Sequence, residues 1–223
     1  MFLSAATVGK DNIIVSGGLS QVSGFFVADI YQYSLSTSEW KDVGQLPKAK
    51  YGHASIYFED KVWIIGGQHE GEDIHSSCVE IMDPISFEIM RGPDTQVPRI
   101  WCRLFVINKR LYAVGGDSLV SKCIPTIEVY DSSNQTWQVL LSNSTDSLFR
   151  MNFKSETMFF SLQIVTNFPA PRKLFSSVVI GRSIYIFGGK DETYCNIRTY
   201  DVFDVETHSW RVADVGPGSS SQV

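Results

Sequence analysis

The stretch Leu111-Tyr-Ala-Val-Gly-Gly116, followed by Ile127-Glu-Val-Tyr-Asp131 and then by Trp137, decides the fold of this 223-residue chain. The first run is apolar, lacks helical periodicity and ends in two glycines, so it predicts a buried strand that ends in a turn. The second run and Trp137 flank a segment of turn-forming residues, which indicates two further strands joined by a hairpin. With the apolar segment before Leu111, the stretch predicts four antiparallel strands.

The same pattern recurs along the chain, and a glycine doublet marks each copy. The first three doublets are spaced 49 residues apart, and the fourth follows after 73 residues. Internal repeats of this length are typical of propellers and solenoids, in which each unit buries its apolar face against the next one. The doublets are Gly17-Gly18, Gly66-Gly67, Gly115-Gly116 and Gly188-Gly189.

Large side chains and basic residues keep register with the doublets. An aromatic residue lies 21 or 22 residues after most doublets, with a second one seven residues earlier, and Met82 and Ile89 take these two places in the second repeat. We expect these side chains to pack between neighbouring units, where burial of each one stabilises by about 1.5–3 kcal/mol. The aromatic pairs are Tyr33 and Trp40, Tyr130 and Trp137, and Phe203 and Trp210. The residues 16 positions before the doublets are Met1, Lys50, Arg99 and Arg172.

These residues resemble the kelch repeat, whose signature is a basic residue, a strand–turn–strand unit ending in Gly-Gly, and Tyr-Asp and Trp at fixed spacing. The resemblance covers nearly the whole chain and implies an all-β, kelch-type β-propeller with four recognisable four-stranded antiparallel blades. Kelch propellers usually close with more blades, so we expect a fragment of a larger propeller, an open arc, or a ring that a partner completes. The predicted single domain, 1–223, has blades at about 1–46, 47–95, 96–141 and 167–215 and an insertion at 142–166.

Composition narrows the classes of partner. The net charge is −5 and no basic run is present, so we expect no nucleic-acid and no membrane binding. Four scattered cysteines and the lack of a targeting signal favour reduced thiols in an intracellular, cytoplasmic location. The segment from His69 to His75 contains metal-ligand residue types, but its place after a doublet predicts a solvent-exposed polar loop. We therefore expect no metal and no cofactor.

The resemblance implies a protein–protein interaction module and not an enzyme. Many intracellular kelch propellers recognise substrates for cullin-3-type ubiquitin ligase adaptors, so this role is the finer expectation. The alternative is a propeller enzyme that acts on a carbohydrate or similar small molecule, as the kelch-like sialic-acid epimerases do. Convergent polar groups in the central channel favour the enzyme, whereas a broad contoured loop face favours the binding module.

The resemblance also implies a binding face, formed by the loops after the doublets and by the links between blades. Two registers are expected to point into it, the residue just after each doublet and the residue 14 positions before it. The earlier register holds Leu3, Gly52, Trp101 and Leu174, and Trp101 is the expected anchor. Lys190 set against Asp117 predicts a nearly neutral pocket and no recognition of acidic peptides. The candidate partner-binding residues are Gln68, His69, Trp101, Asp117, Lys190 and Asp191.

Overall fold

The protein is built from four antiparallel β-sheets. The computed structural model describes residues 4–72, 75–119, 122–140 and 169–214, and these ranges contain eighteen strands and no helix. Sixteen of the strands form four four-stranded sheets, and the other two form a short ladder. The all-β class with four four-stranded blades is thereby confirmed. The predicted insertion at 142–166 lies outside the described residues.

We call the sheets blades 1 to 4 in chain order. In every blade the strands are hydrogen-bonded in the order in which they occur along the chain. Blade 1 contains β1 (Ser4–Val8), β2 (Asn12–Leu19), β3 (Phe26–Ser34) and β4 (Glu39–Gln45). Blade 2 contains β6 (Ala54–Phe58), β7 (Lys61–Ile65), β9 (Val79–Met82) and β10 (Ile89–Arg91). The ladder consists of β5 (Lys50–Tyr51) and β8 (Gln68–His69), and its β5 contacts β2 and β3 of blade 1. Blade 3 contains β11 (Arg103–Ile107), β12 (Arg110–Val114), β13 (Ile127–Asp131) and β14 (Thr136–Val139). Blade 4 contains β15 (Ser176–Ile180), β16 (Ser183–Phe187), β17 (Thr199–Asp204) and β18 (Ser209–Asp214).

The hairpins at the start of blades 2 and 3 have a common turn geometry. Glu59 and Asp60 have φ angles of 47° and 58°, and Asn108 and Lys109 have φ angles of 51° and 59°. Positive φ at both central residues defines the type I′ turn, whose twist matches that of the two strands it connects. The short polar turns therefore fix the register between the first and second strands.

The blades pack on one another in chain order. The first strands lie together, with β6 against β1 and β11, and with β11 also against β15, so they form the inner side of the arc. A separate apolar core fills each of the three spaces between consecutive blades. Blades 1 and 2 share Ile14, Ile30, Val62 and Ile64; blades 2 and 3 share Trp63, Ile65, Tyr130 and Trp137; blades 3 and 4 share Val114, Ile127, Ile184 and Phe203.

The two end blades each present an interblade face to solvent. On blade 1, Trp40 is 60% exposed, whereas Trp137 at the equivalent place in blade 3 is 2% exposed. The expected packing of Trp40 between blades is therefore wrong, because no described blade precedes blade 1. On blade 4, Val178, Ile180 and Phe187 are 41–61% exposed. Their equivalents, 73 residues earlier in blade 3, are at most 8% exposed: Phe105, Ile107 and Val114.

We expect the chain to self-associate through these two faces at micromolar concentration, because large apolar patches on a soluble domain favour association. Trp40→Lys and Ile180→Lys each place a charge on one face and should lower the mass measured by light scattering. Ile85→Lys is the matched control, since Ile85 is 88% exposed in a turn and should leave the mass unchanged. A monomeric unsubstituted chain would contradict this expectation.

Candidate binding face

The links between blades and the loops after the glycine doublets meet at one end of the blades. In each of blades 2 to 4, the residue 15 positions before the doublet pairs with the residue just after it. The pairs are Tyr51 with Gln68, Ile100 with Asp117, and Lys173 with Lys190. This repeated pairing places the residue just after each doublet opposite the residue that directly precedes the earlier register of the predicted face.

The doublets are glycine because the links cross directly over them. Gly67 and Gly116 have φ angles of 92° and 101°, a region that disfavours other residues. A Cβ atom on Gly67 would stand 2.8 Å from the carbonyl oxygen of Tyr51, and one on Gly116 would stand 2.5 Å from that of Ile100. Only glycine gives the close approach that holds each link in place.

The basic residue of each link is buried and paired with an acid of the third strand. Arg99 donates to Gly115 O at 2.9 Å and to Glu128 Oε1 at 2.5 Å. Arg172 repeats the arrangement with Gly188 O at 3.0 Å and Asp201 Oδ2 at 2.6 Å, and Lys50 pairs with Glu80. Each pair thus joins a link to its own blade, and in blades 3 and 4 it also holds the doublet.

Sequence reasoning found the bases of these pairs and missed the acids. Glu80, Glu128 and Asp201 each lie two residues before the large outer residue of their repeat, and this spacing was a usable signal. In blade 1 the corresponding places hold Met1 and Tyr31, so both members of the pair are replaced together.

Two bulky residues at the same register of this face have a left-handed backbone. The residues 14 positions before the doublets are Gly52, Trp101 and Leu174, with φ angles of 70°, 57° and 55°. Glycine accepts this conformation, but other residues are destabilised by about 1–2 kcal/mol. Trp101 is half-buried and Leu174 is 50% exposed, so little burial offsets the strain at Leu174. Strained residues outside tight turns cluster at functional sites.

Aromatic side chains from all four blades meet on the same face. The rings of Phe26 and Tyr51 are 4.6 Å apart, and those of Tyr51 and Trp101 are 6.3 Å apart and edge-on. Tyr194 lies on the same face, with its ring over Lys173 Nζ, and burial together with the charge of Tyr194 raises the pKa of Tyr51. We call Phe26, Tyr51, Trp101 and Tyr194 the aromatic band.

The charges next to the aromatic band neutralise one another. Lys173 Nζ lies 2.7 Å from Asp117 Oδ2, and both residues are buried. The same Nζ lies 3.9 Å from the centre of the Tyr194 ring. Although burial lowers it, the hydrogen bonds to Asp117 and Tyr194 hold the pKa of Lys173 above its ordinary value. Asp117 is therefore opposed by Lys173 and not by Lys190, whose Nζ donates to the carbonyl oxygen of Tyr194 at 3.2 Å.

The other predicted residues have mostly structural contacts. His69 is buried, so the expectation that it lies in a solvent-exposed loop is wrong, and burial lowers the pKa of its imidazole. Gln68 donates to the carbonyl oxygen of Glu72 at 3.0 Å. Asp191 Oδ1 accepts from the backbone N–H groups of Thr193 and Cys195, both at 2.9 Å, and so shapes the loop that carries Tyr194.

Neither a metal site nor a membrane span is found in the described part of the chain. Within those ranges, no three His, Cys, Asp or Glu side chains converge in a way that would hold a metal ion. No helix there is long and apolar enough to cross a bilayer.

The chain matches the kelch motif and is similar to kelch-like proteins and to a scruin. The kelch motif matches residues 102–140 and 171–213, which contain blades 3 and 4. Kelch-like protein 38 of Mus musculus is 25% identical over 93% of this chain and 39% of its own length. Alpha-scruin of Limulus polyphemus is 24% identical over 84% of this chain and 19% of its own length. The chain therefore spans about two fifths, or less, of these relatives.

A solved structure supports the fold independently. The structure of YjhT superposes with a TM-score of 0.72 over 97% of this chain and 66% of that chain. The two sequences are only 12% identical, so this likeness concerns the fold alone.

Proposed function

We propose that this chain, which has kelch motifs in kelch-type propeller blades, binds another protein through the face that carries the aromatic band. The observation that carries the proposal is the left-handed backbone at Trp101 and Leu174. Both residues are at least partly exposed, and at Leu174 little burial offsets the strain of the left-handed backbone. A partner that covers both side chains would provide that compensation. Half-exposed aromatic rings are also the usual anchors of protein interfaces.

We further propose that the face has no catalytic role. A catalytic site needs ionisable groups that can reach a substrate, with pKa values suited to proton transfer. The ion pair of Lys173 and Asp117 is the closest candidate among the described residues of this face. Both side chains are buried and bonded to each other, and their contacts favour the charged form of Lys173. This arrangement supports a structural role, in which the pair joins blade 4 to the loop of blade 3.

The finer part of the proposal is substrate recognition for a cullin-3-type ubiquitin ligase adaptor in the cytoplasm. Its support is the similarity to kelch-like proteins, of which this chain spans about two fifths. Affinity purification from cytosol, followed by mass spectrometry, tests it. Recovery of a cullin scaffold together with a partner supports this role, whereas a partner without any ligase component contradicts it and leaves protein binding intact.

We expect Trp101→Ala to raise the dissociation constant of the captured partner at least tenfold, because loss of a central aromatic anchor weakens binding by about 2 kcal/mol or more. The dissociation constant is measured with the purified partner after circular dichroism has shown that the variant is folded. Trp40→Ala is the control, since it removes a tryptophan side chain from the outer strand of blade 1. Lys190→Ala is a second variant on the face itself. Full affinity in both Trp101→Ala and Lys190→Ala would place the interface elsewhere.

A further inference from the structure

We propose that the partner segment is an uncharged, proline-rich peptide in the polyproline II conformation, docked across the aromatic band. This inference rests on the proposed binding function of the face and names the chemistry of its ligand. It is carried by the surface chemistry of the band and by the hydrogen-bonding groups around it.

The charges of the face disfavour an acidic or phosphorylated ligand. Such ligands are usually held by a cluster of free arginine or lysine side chains. Here Lys173 is bound to Asp117 and covered by the ring of Tyr194. Arg99 and Arg172 are fully buried in their pairs with Glu128 and Asp201. The cations of the links are therefore already neutralised.

The backbone of the links disfavours a ligand that adds a β-strand. Strand addition needs a row of free N–H and C=O groups at a sheet edge. Lys173 and Lys190 exchange both backbone hydrogen bonds, each of 2.9 Å, and Ile100 and Asp117 exchange theirs at 2.9 and 2.8 Å. Trp101 N donates to Gly52 O at 2.7 Å, so the backbone N–H of Trp101 is not free for a ligand either. A ligand at these links must therefore be held by side chains of the face and not by free backbone groups.

The aromatic band has what a polyproline II ligand needs. Proline rings pack on aromatic faces, and their carbonyl groups accept hydrogen bonds from tryptophan and tyrosine side chains. Trp101 presents its ring next to Tyr51, with the ring centres 6.3 Å apart, and its indole group is a hydrogen-bond donor only. The Tyr51 and Tyr194 hydroxyl groups add further donors. Because the polyproline II helix is already formed in the free peptide, little conformational entropy is lost on binding.

A random dodecapeptide library displayed on phage and selected on the intact chain tests the inference. We expect peptides that are enriched in proline and poor in acidic residues. Alanine in place of their prolines should lower their affinity for the chain at least tenfold. Selection of charged or helix-forming peptides at this face would overturn the inference, and so would the recovery of no peptide that depends on the face.

Two variants of the chain separate this inference from the proposed function. Trp101→Gly and Leu174→Gly relieve the left-handed strain, so the chain should stay folded. Each substitution should lower the affinity for the selected peptides at least tenfold. Val22→Gly is the control, since Val22 is fully exposed on a turn of blade 1. Binders of another chemistry that lose affinity in both variants would refute the proline-rich ligand and keep the binding face. Binders unaffected by either variant would refute both.

Discussion

Trp137→Ala is expected to lower the free energy of unfolding by about 3–5 kcal/mol, which is the range for a buried large aromatic residue. Trp137 is almost fully buried between blades 2 and 3, where its ring lies 5.5 Å from that of Tyr130. Its Nε1–H also donates to Pro93 O at 3.0 Å. The substitution leaves a cavity between two blades and a carbonyl group without its donor, and both effects destabilise the folded state.

Urea denaturation measures this difference, and blade 1 provides the control. Trp40 holds the same place in its blade and packs on Tyr33 with a ring separation of 4.9 Å, but it is largely exposed. Trp40→Ala should lower the free energy of unfolding by less than about 1 kcal/mol, as for most surface substitutions. Equal losses for the two variants would mean that blade stacking does not depend on the tryptophan of blade 3.

The strands and blades were predictable because their signals are local. A glycine doublet, a two-residue turn and an aromatic residue at fixed spacing all lie within one repeat, and the turn at Asn108 and Lys109 needs no distant contact. The open faces were less predictable. Trp40 and Trp137 have the same sequence signal, and they differ only in whether another blade covers them.

The contacts around the proposed binding face were only partly predictable. The kelch resemblance implied the registers of Trp101 and Asp117, but it did not give the partner of Asp117. Lys173 is 56 residues away in the sequence and belongs to the next blade, so no local pattern connects the two. The left-handed backbone of Trp101 and Leu174 was equally hidden, although Gly52 at the same register was an available sign of positive φ.

Arg99→Met is expected to lower the free energy of unfolding by about 3–5 kcal/mol, because it leaves a buried carboxylate without its counterion. Both side chains of the Arg99–Glu128 pair are fully buried. Arg182→Met is the matched control, since Arg182 forms ion pairs with Asp204 and Glu206 while half-exposed. Loss of an exposed pair of this kind changes stability by about 0–1 kcal/mol. Urea denaturation of the two variants gives the comparison.

The double variant Arg99→Met, Glu128→Gln should recover part of the loss, because the buried charge is then removed from both sides. A glutamine oxygen can still accept from one of the backbone N–H groups of Gln96 and Val97, which donate to Oε2 and Oε1 of Glu128 at 2.7 and 3.2 Å. Blade 1 supports this expectation, since it is a four-stranded sheet whose sequence holds neither member of the pair. A double variant less stable than Arg99→Met alone would show that the carboxylate of Glu128 stabilises the blade through its backbone contacts, independently of the arginine.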